Sequence, residues 1–291
     1  MHCKRYEDLV QFFEMERGLF ACTDVDGLMQ TLNINHIPLD WRLFIDSSKL
    51  SLIAVLLHNG NTVPSIPFGH SVHNKESYEN MKILMEAINY DKFKWQICGD
   101  LKVISLLLGL QQRFTKYCCF ICEWDSRARS HHYSRKDWPA RKSLEPGIMN
   151  VENKPLVELG KILLSSMHLK LGLTKNSVKA MKQEEAAFTY LPQKFPRLSE
   201  AKMKEGIFIG PQIRHLTKDE YFDWLLQGDE KAVWDSFKFV VKGFLGNRRA
   251  QNYEELVNNL LKSYQKLGCN MSLKVLFLHS HLDFSQRIVV Q

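Results

Sequence analysis

From Trp41 onward the chain breaks into short apolar runs separated by polar turns. Arg42-Leu-Phe-Ile-Asp46 is followed by the polar Ser47-Ser48-Lys49, then by Leu50 to Leu57 and the turn His58-Asn-Gly-Asn61, a pattern that predicts a hairpin. A third strand is expected over Val63 to His70, with Pro64 and Pro67 placing it at an edge or shortening it. Glu76 to Asn89 carries Tyr78, Met81, Leu84, Met85 and Ile88 at three- and four-residue steps, which predicts an amphipathic helix with one buried stripe. Lys94 to Gly99 reads as a strand ending at Asp100, and Leu101 to Gln112 as an apolar helix. Upstream, Tyr6 to Glu16 reads as a short helix and Val25 to Leu32 as an apolar patch. Downstream of Cys122, helices are expected over Leu156 to Ser166, Leu169 to Ala180, Ser199 to Glu205, Lys218 to Leu226, Glu230 to Phe244 and Tyr253 to Lys266. No internal repeat or low-complexity linker interrupts the chain. The expectation is an α/β protein with a lead-in over 1–40, a core over 41–122, a mainly helical insertion with a basic loop over 123–275, and a histidine-bearing segment with an atypical end over 276–291.

Composition narrows this picture only modestly. With 45% hydrophobic and 24% charged residues, the 291-residue chain can bury a sizeable core, and one core with a large insertion is the default. A formal charge of +7 favours an anionic partner without identifying it. The seven cysteines (Cys3, Cys22, Cys98, Cys118, Cys119, Cys122, Cys269) are odd in number, and no apolar secretory core follows Met1, so a reducing intracellular compartment is expected. The most apolar runs, Leu50 to Leu57 and Leu101 to Leu110, are about half the length that spans a bilayer, and no membrane segment is expected.

The order strand, hairpin strand, third strand, helix, fourth strand, helix is the ribonuclease H layout, a mixed sheet here carrying a helical insertion. Asp46 ends its first strand and Asp100 its fourth, 54 residues later. Parallel pairing of those strands would set the carboxylates side by side, able to hold two divalent cations about 4 Å apart for in-line phosphoryl displacement. Hard oxygen ligands suit Mg²⁺ or Mn²⁺. Either aspartate alone reads better as a turn former or helix N-cap, and Asp100 directly precedes an expected helix; the two together with the order of elements favour the metal site.

Cys119-Phe-Ile-Cys122 has the spacing with which two thiolates share a tetrahedral Zn²⁺, and His279-Ser-His281 offers the best candidates for the remaining ligands. His131 and His132 lie in the basic loop, and His168 begins an apolar helix, where capping or core packing is the stronger reading. Buried thiols or a redox pair are the competing readings of the cysteines, with Cys118 expected to face the core. Arg127, Arg129, Arg135, Lys136, Arg141 and Lys142, interleaved with Trp124, Tyr133 and Trp138, fit a DNA backbone with rings packed on bases or into the protein's own core; a solvated basic face fits too.

Arg42-Leu-Phe-Ile-Asp-Ser-Ser-Lys49, Ile97-Cys-Gly-Asp-Leu-Lys-Val103, Tyr117-Cys-Cys-Phe-Ile-Cys-Glu-Trp-Asp-Ser-Arg127 and Phe277-Leu-His-Ser-His-Leu-Asp-Phe284 resemble blocks of transposase-derived proteins of invertebrate genomes. The resemblance runs over nearly the whole chain. More distantly, the chain is similar to the DDE-type catalytic cores of hAT transposases and the antigen-receptor recombinase. It implies Asp46 and Asp100 as ligands of catalytic Mg²⁺ or Mn²⁺, and a zinc site joining Cys119 and Cys122 to His279 or His281. It further implies DNA cleavage and strand transfer in the nucleus, and it admits a homo-oligomer. The family's third acid, a glutamate on a helix after the histidine block, has no counterpart before Gln291, and Glu254, Glu255 and Asp283 do not hold its position. Ser285 to Gln291 departs from the expected Phe-Pro-Glu-Asn-Cys-Gly in a way that the loss of one nucleotide would produce. The expectation is a copy truncated before the last catalytic helix, with little or no activity. The alternative is a non-catalytic DNA- or protein-binding module stabilised by zinc.

Overall fold

A computed structural model describes residues 9–48, 50–72, 75–113, 115–246, 248–284 and, for the backbone alone, 288–289. Cys3, Tyr6 and Lys49, and the expected departure over 285–287 and 290–291, lie outside the described residues. The chain divides into two compact units: Met1–Trp124 with Ala140–Leu163, and Asp125–Pro139 with Leu164–Gln291. The insertion therefore does not begin cleanly after Cys122, because residues 140–163 return to the first unit.

The first unit is a mixed sheet with helices. Its strands are β1 (Phe13–Glu16), β2 (Leu19–Cys22), β3 (Trp41–Ser47), β4 (Leu52–His58), β5 (Ile66–Ser71) and β6 (Gln96–Gly99), in the spatial order β1-β2-β5-β4-β3-β6. Next in that order is β7 (Ile162–Ser165), whose first half belongs to this unit. β3 runs antiparallel to β4 and parallel to β6. The helices are α1 (Val25–Thr31), α2 (Tyr78–Ala87), α3 (Tyr90–Phe93) and α4 (Leu101–Leu107). Alternate residues of β3 and β4, among them Leu43, Ile45, Ala54 and Leu56, are fully buried, as are Met81 and Leu84 of α2 and Val103 and Leu107 of α4.

Four elements depart from the sequence pattern. Phe13–Glu16 is a strand, not the end of a helix, and with β2 it brings the lead-in into the sheet. β5 starts at Ile66, after Pro64, which is the shortening expected of the prolines, but it is not an edge, since β2 covers its far side. Pro67 is accommodated because it stands opposite Val55, where the β4–β5 register shifts, and because β2 pairs with β5 only at Gly69 and His70. α4 stops at Leu107, five residues before Gln112, where Gly109 at φ +71° closes the helix: Gly109 N–H donates to Leu106 O (3.0 Å) and Leu110 N–H to Ser105 O (2.8 Å). The run expected as a helix over Leu156 to Ser166 is instead a 3-10 turn (Leu159–Lys161) followed by β7, all four residues of which are buried. An inner strand covered on both faces loses the alternation that would distinguish it from a buried helix.

The second unit is helical: α5 (Ser166–Ala180), α6 (Ala186–Lys194), α7 (Glu200–Lys204), α8 (Gly210–Leu216), α9 (Glu220–Leu225), α10 (Gly228–Gly243), α11 (Tyr253–Leu267) and α12 (Leu273–Ser280). Within this unit the two-residue β8 (Ile288–Val289) runs parallel to Leu164 and Ser165 of β7. α10 and α11 pack together over Phe237, Val240, Val257 and Leu260, and α12 lies on α5. The buried Tyr264 hydroxyl donates to Leu173 O (2.7 Å) and pairs with Ser177 Oγ (2.9 Å), so its desolvation is compensated. No helix among the described residues is long and apolar enough to cross a membrane.

Candidate functional site

The parallel register of β3 and β6 places Phe44 opposite Cys98 and Ile45 opposite Gly99. The next step along both strands reaches Asp46 and Asp100, so the two aspartates emerge together at one end of the sheet. The close approach depends on Gly99, where an added Cβ would stand 2.8 Å from Ile45 O. Asp46 is exposed and Asp100 half-buried. Asp100 is also the N-cap of α4, its Oδ1 accepting the Val103 N–H at 2.7 Å. A carboxylate has lone pairs to spare, so capping and metal ligation do not exclude one another.

Sequence reasoning passed over the two charged residues beside this pair. Glu76, just before α2, accepts from Ser47 Oγ (3.2 Å) and is ion-paired with Lys102, the second residue of α4. The bridge ties the end of β3 to the starts of two helices, and Lys102 supplies the countercharge to the most sheltered acid nearby. Neither residue sits in a recognisable motif; they meet only through the tertiary fold. Among the described residues, no third carboxylate joins Asp46 and Asp100 in a group of three with ligand atoms within 4.8 Å.

Also in the first unit, the sulfurs of Cys119 and Cys122 lie within 4.8 Å of one another, and both residues are buried. The loop folds so that Ile121 N–H points at Cys119 Sγ (3.4 Å), and a hydrogen bond with Cys119 holds the Cys122 thiol below its ordinary pKa. Donors turned toward a sulfur favour the thiolate form that binds metal. The returning segment holds the loop in place. Arg141 Nε donates to Cys119 O (3.0 Å), and its two terminal nitrogens to Met149 O (3.0 Å) and Tyr117 O (2.9 Å); Asn150 Oδ1 accepts the Tyr117 N–H (2.9 Å). Cys118, expected to face the core, is only half-buried, less sheltered than Cys119 and Cys122, and burial pushes its thiol up to about 11.

The candidate histidines belong to the second unit. His279 is buried in the last turn of α12, with Nδ1 2.9 Å from Ser280 Oγ and its ring edge-on to Tyr133. Burial holds it below the ordinary imidazole pKa, and Lys136 adds to the effect, so the neutral ligand form is favoured. His281 is half-buried at the C-cap of α12. His168 occupies the first turn of α5, its N–H on the Ser165 cap at 3.5 Å. His132 is buried, with Nε2 2.9 Å from Asp125 O.

The six basic candidates fall into different settings. Arg127, Arg129, Arg135 and Lys136 are exposed on the second unit, Lys142 is exposed on the first, and the Arg141 guanidinium is occupied by three carbonyls. Their interleaved rings are structural: Trp124 is buried, Tyr133 donates to Cys269 O (2.8 Å), and Trp138 lies under Arg135 at 4.5 Å.

Residues 1–157 match the family model described as Domain of unknown function (DUF8703), and residues 166–246 match that described as Domain of unknown function (DUF8704). No curated protein and no solved structure matches the chain.

Proposed function

This chain belongs to the family described as Domain of unknown function (DUF8703), and from its residues we propose a DNA transposase-like protein of the DDE type, retaining a two-acid metal site with little or no strand-transfer activity. The observation that carries this reading is the β3–β6 register, which brings Asp46 and Asp100 out at the same sheet end. The order β5-β4-β3-β6-β7, with β3 and β6 parallel and a helix between β5 and β6, supports a ribonuclease H-like core. In such a site Mg²⁺ or Mn²⁺ would activate water or a DNA 3′-hydroxyl and stabilise the leaving oxygen. With two carboxylates the metal is held weakly, and transition-state charge is poorly neutralised. A nuclear location follows from this reading, as does assembly into a homo-oligomer on DNA.

Binding of Mn²⁺ to the full chain, followed by electron paramagnetic resonance, tests the site. Asp46→Asn and Asp100→Asn should each abolish it, and Asp100→Asn should still fold because asparagine is as good an N-cap as aspartate. Mn²⁺ binding that both variants leave untouched would sink the assignment. Incubation with labelled nicked or hairpin DNA should then show weak cleavage or none.

The geometry of Cys119 and Cys122 favours a second component, a structural zinc that would stabilise the protein as a binding module even without catalysis. We infer that these thiolates supply half of a tetrahedral set, with His279 and His281 the expected partners on sequence grounds. Elemental analysis of the purified chain should find one zinc, lost in Cys119→Ser together with thermal stability. A zinc-free protein whose melting is unchanged by that substitution refutes it.

A further inference from the structure

One short helix of the second unit carries two large aromatic side chains that the core does not use. Tyr221 and Trp224 are three residues apart on α9, on one face of the helix, and are 54% and 71% exposed. Their rings lie 5.8 Å apart and nearly parallel, at 22°, and Tyr190 meets Tyr221 edge-on at 5.1 Å. The pair is held on a rigid base. Asp219, buried at the start of α9, accepts the Phe222 N–H (3.1 Å) and the Tyr190 hydroxyl (3.0 Å), and it is ion-paired with Lys194 (2.6 Å). Phe222 is fully buried between Tyr190 and Trp234, so the helix cannot roll its exposed face inward.

Charge decides what would lie on such a face. The second unit holds 23 Lys and Arg against 15 Asp and Glu, a balance of +8, whereas the first holds 16 against 17, a balance of −1. The net positive charge of the chain therefore belongs to the unit that bears the aromatic pair. Asp223, on the same helix, is neutralised by Lys238 and accepts the Trp234 indole N–H at 2.7 Å. Flat, exposed, pre-stacked rings on a cationic body match a ligand with stacked bases and a phosphate backbone. Bases inside a duplex do not offer their faces.

We propose that Tyr221 and Trp224 form a stacking platform for the bases of single-stranded nucleic acid. The proposal rests on the nucleic-acid part of the preceding reading and not on the metal site. Fluorescence anisotropy of a labelled twenty-nucleotide oligothymidylate with the full chain should show binding that Trp224→Ala and Tyr221→Ala weaken roughly tenfold or more. Trp224→Phe should restore most of the affinity, because a flat ring suffices. The melting temperature of each variant should stay near that of the parent, as expected for side chains this exposed. Equal oligothymidylate affinity in parent and Trp224→Ala overturns the platform. So does binding of duplex alone, an outcome that leaves the DNA reading standing, and so does binding of a proline-rich peptide in place of either nucleic acid. Failure to bind both nucleic acids while Asp46 still holds Mn²⁺ overturns the platform and leaves the metal site intact.

Discussion

The buried Trp95 indole donates its N–H to His36 Nε2 at 3.0 Å, and Phe93 stacks on Trp95 at 4.7 Å. The acceptor nitrogen must keep its lone pair, so His36 is neutral in the folded chain. Burial lowers its pKa, an effect that Asp26 opposes and Lys92 reinforces. Because the folded pKa is depressed, the unfolded chain takes up the proton first as pH falls below about 6.5. This contribution to stability is complete above that value and declines between it and the folded pKa. Melting temperature should therefore fall from pH 7 toward pH 5.5. His36→Phe should flatten that slope while costing about 1–3 kcal/mol, because the indole N–H loses its acceptor. An unchanged slope in the variant would assign the pH dependence elsewhere. The sequence named His168, His131 and His132 but not His36, since an indole 59 positions away identifies a histidine only once the chain has folded.

Elements were legible where one face is buried and the other wet. α2 and β4 follow their patterns because each alternates against solvent, while β3 is marked by a short apolar run closed by a polar turn; the β3–β6 pairing brings Asp46 and Asp100 to the same sheet end. β7 carries no strand signature because every one of its residues is buried. α6, α8 and α12 were passed over for different reasons: α6 contains Pro192, α8 has only seven residues and opens on Gly210-Pro211, and five of the eight residues of α12 are buried, which blurs its period. Gly99 joins this scale to the site. With the Ile45 carbonyl 2.8 Å from where its Cβ would be, Gly99→Ala must push β3 and β6 apart just before the aspartates. We expect a loss of about 1–3 kcal/mol in chemical denaturation. At a metal concentration that saturates the parent, Mn²⁺ binding should also be measurably weaker. Parent-like Mn²⁺ affinity in a destabilised Gly99→Ala chain would mean that the aspartates do not act as a pair.

At the scale of the whole molecule, the sequence offered one number, +7, that the fold resolves into −1 and +8. The asymmetry is legible along the chain, since residues 1–124 hold 12 Lys and Arg against 14 Asp and Glu and residues 125–291 hold 27 against 18; the fold moves the boundary by returning residues 140–163 to the first unit. Nucleic-acid affinity that arises from this asymmetry must respond to salt through the second unit alone. For single strands the logarithm of the binding constant falls against the logarithm of salt with a slope of about 0.7 per phosphate contacted. Replacing Arg127, Arg129 and Lys136 together with glutamine should make that slope shallower by roughly 0.7 for each cation that touches a phosphate. The matched replacement of Lys82, Lys154 and Lys161 in the first unit removes the same formal charge and should leave the slope where it was. Equal slopes for the two triple variants would show that only net charge counts. A change confined to the first-unit variant would move the interface there and set Tyr221 and Trp224 aside as a nucleic-acid surface.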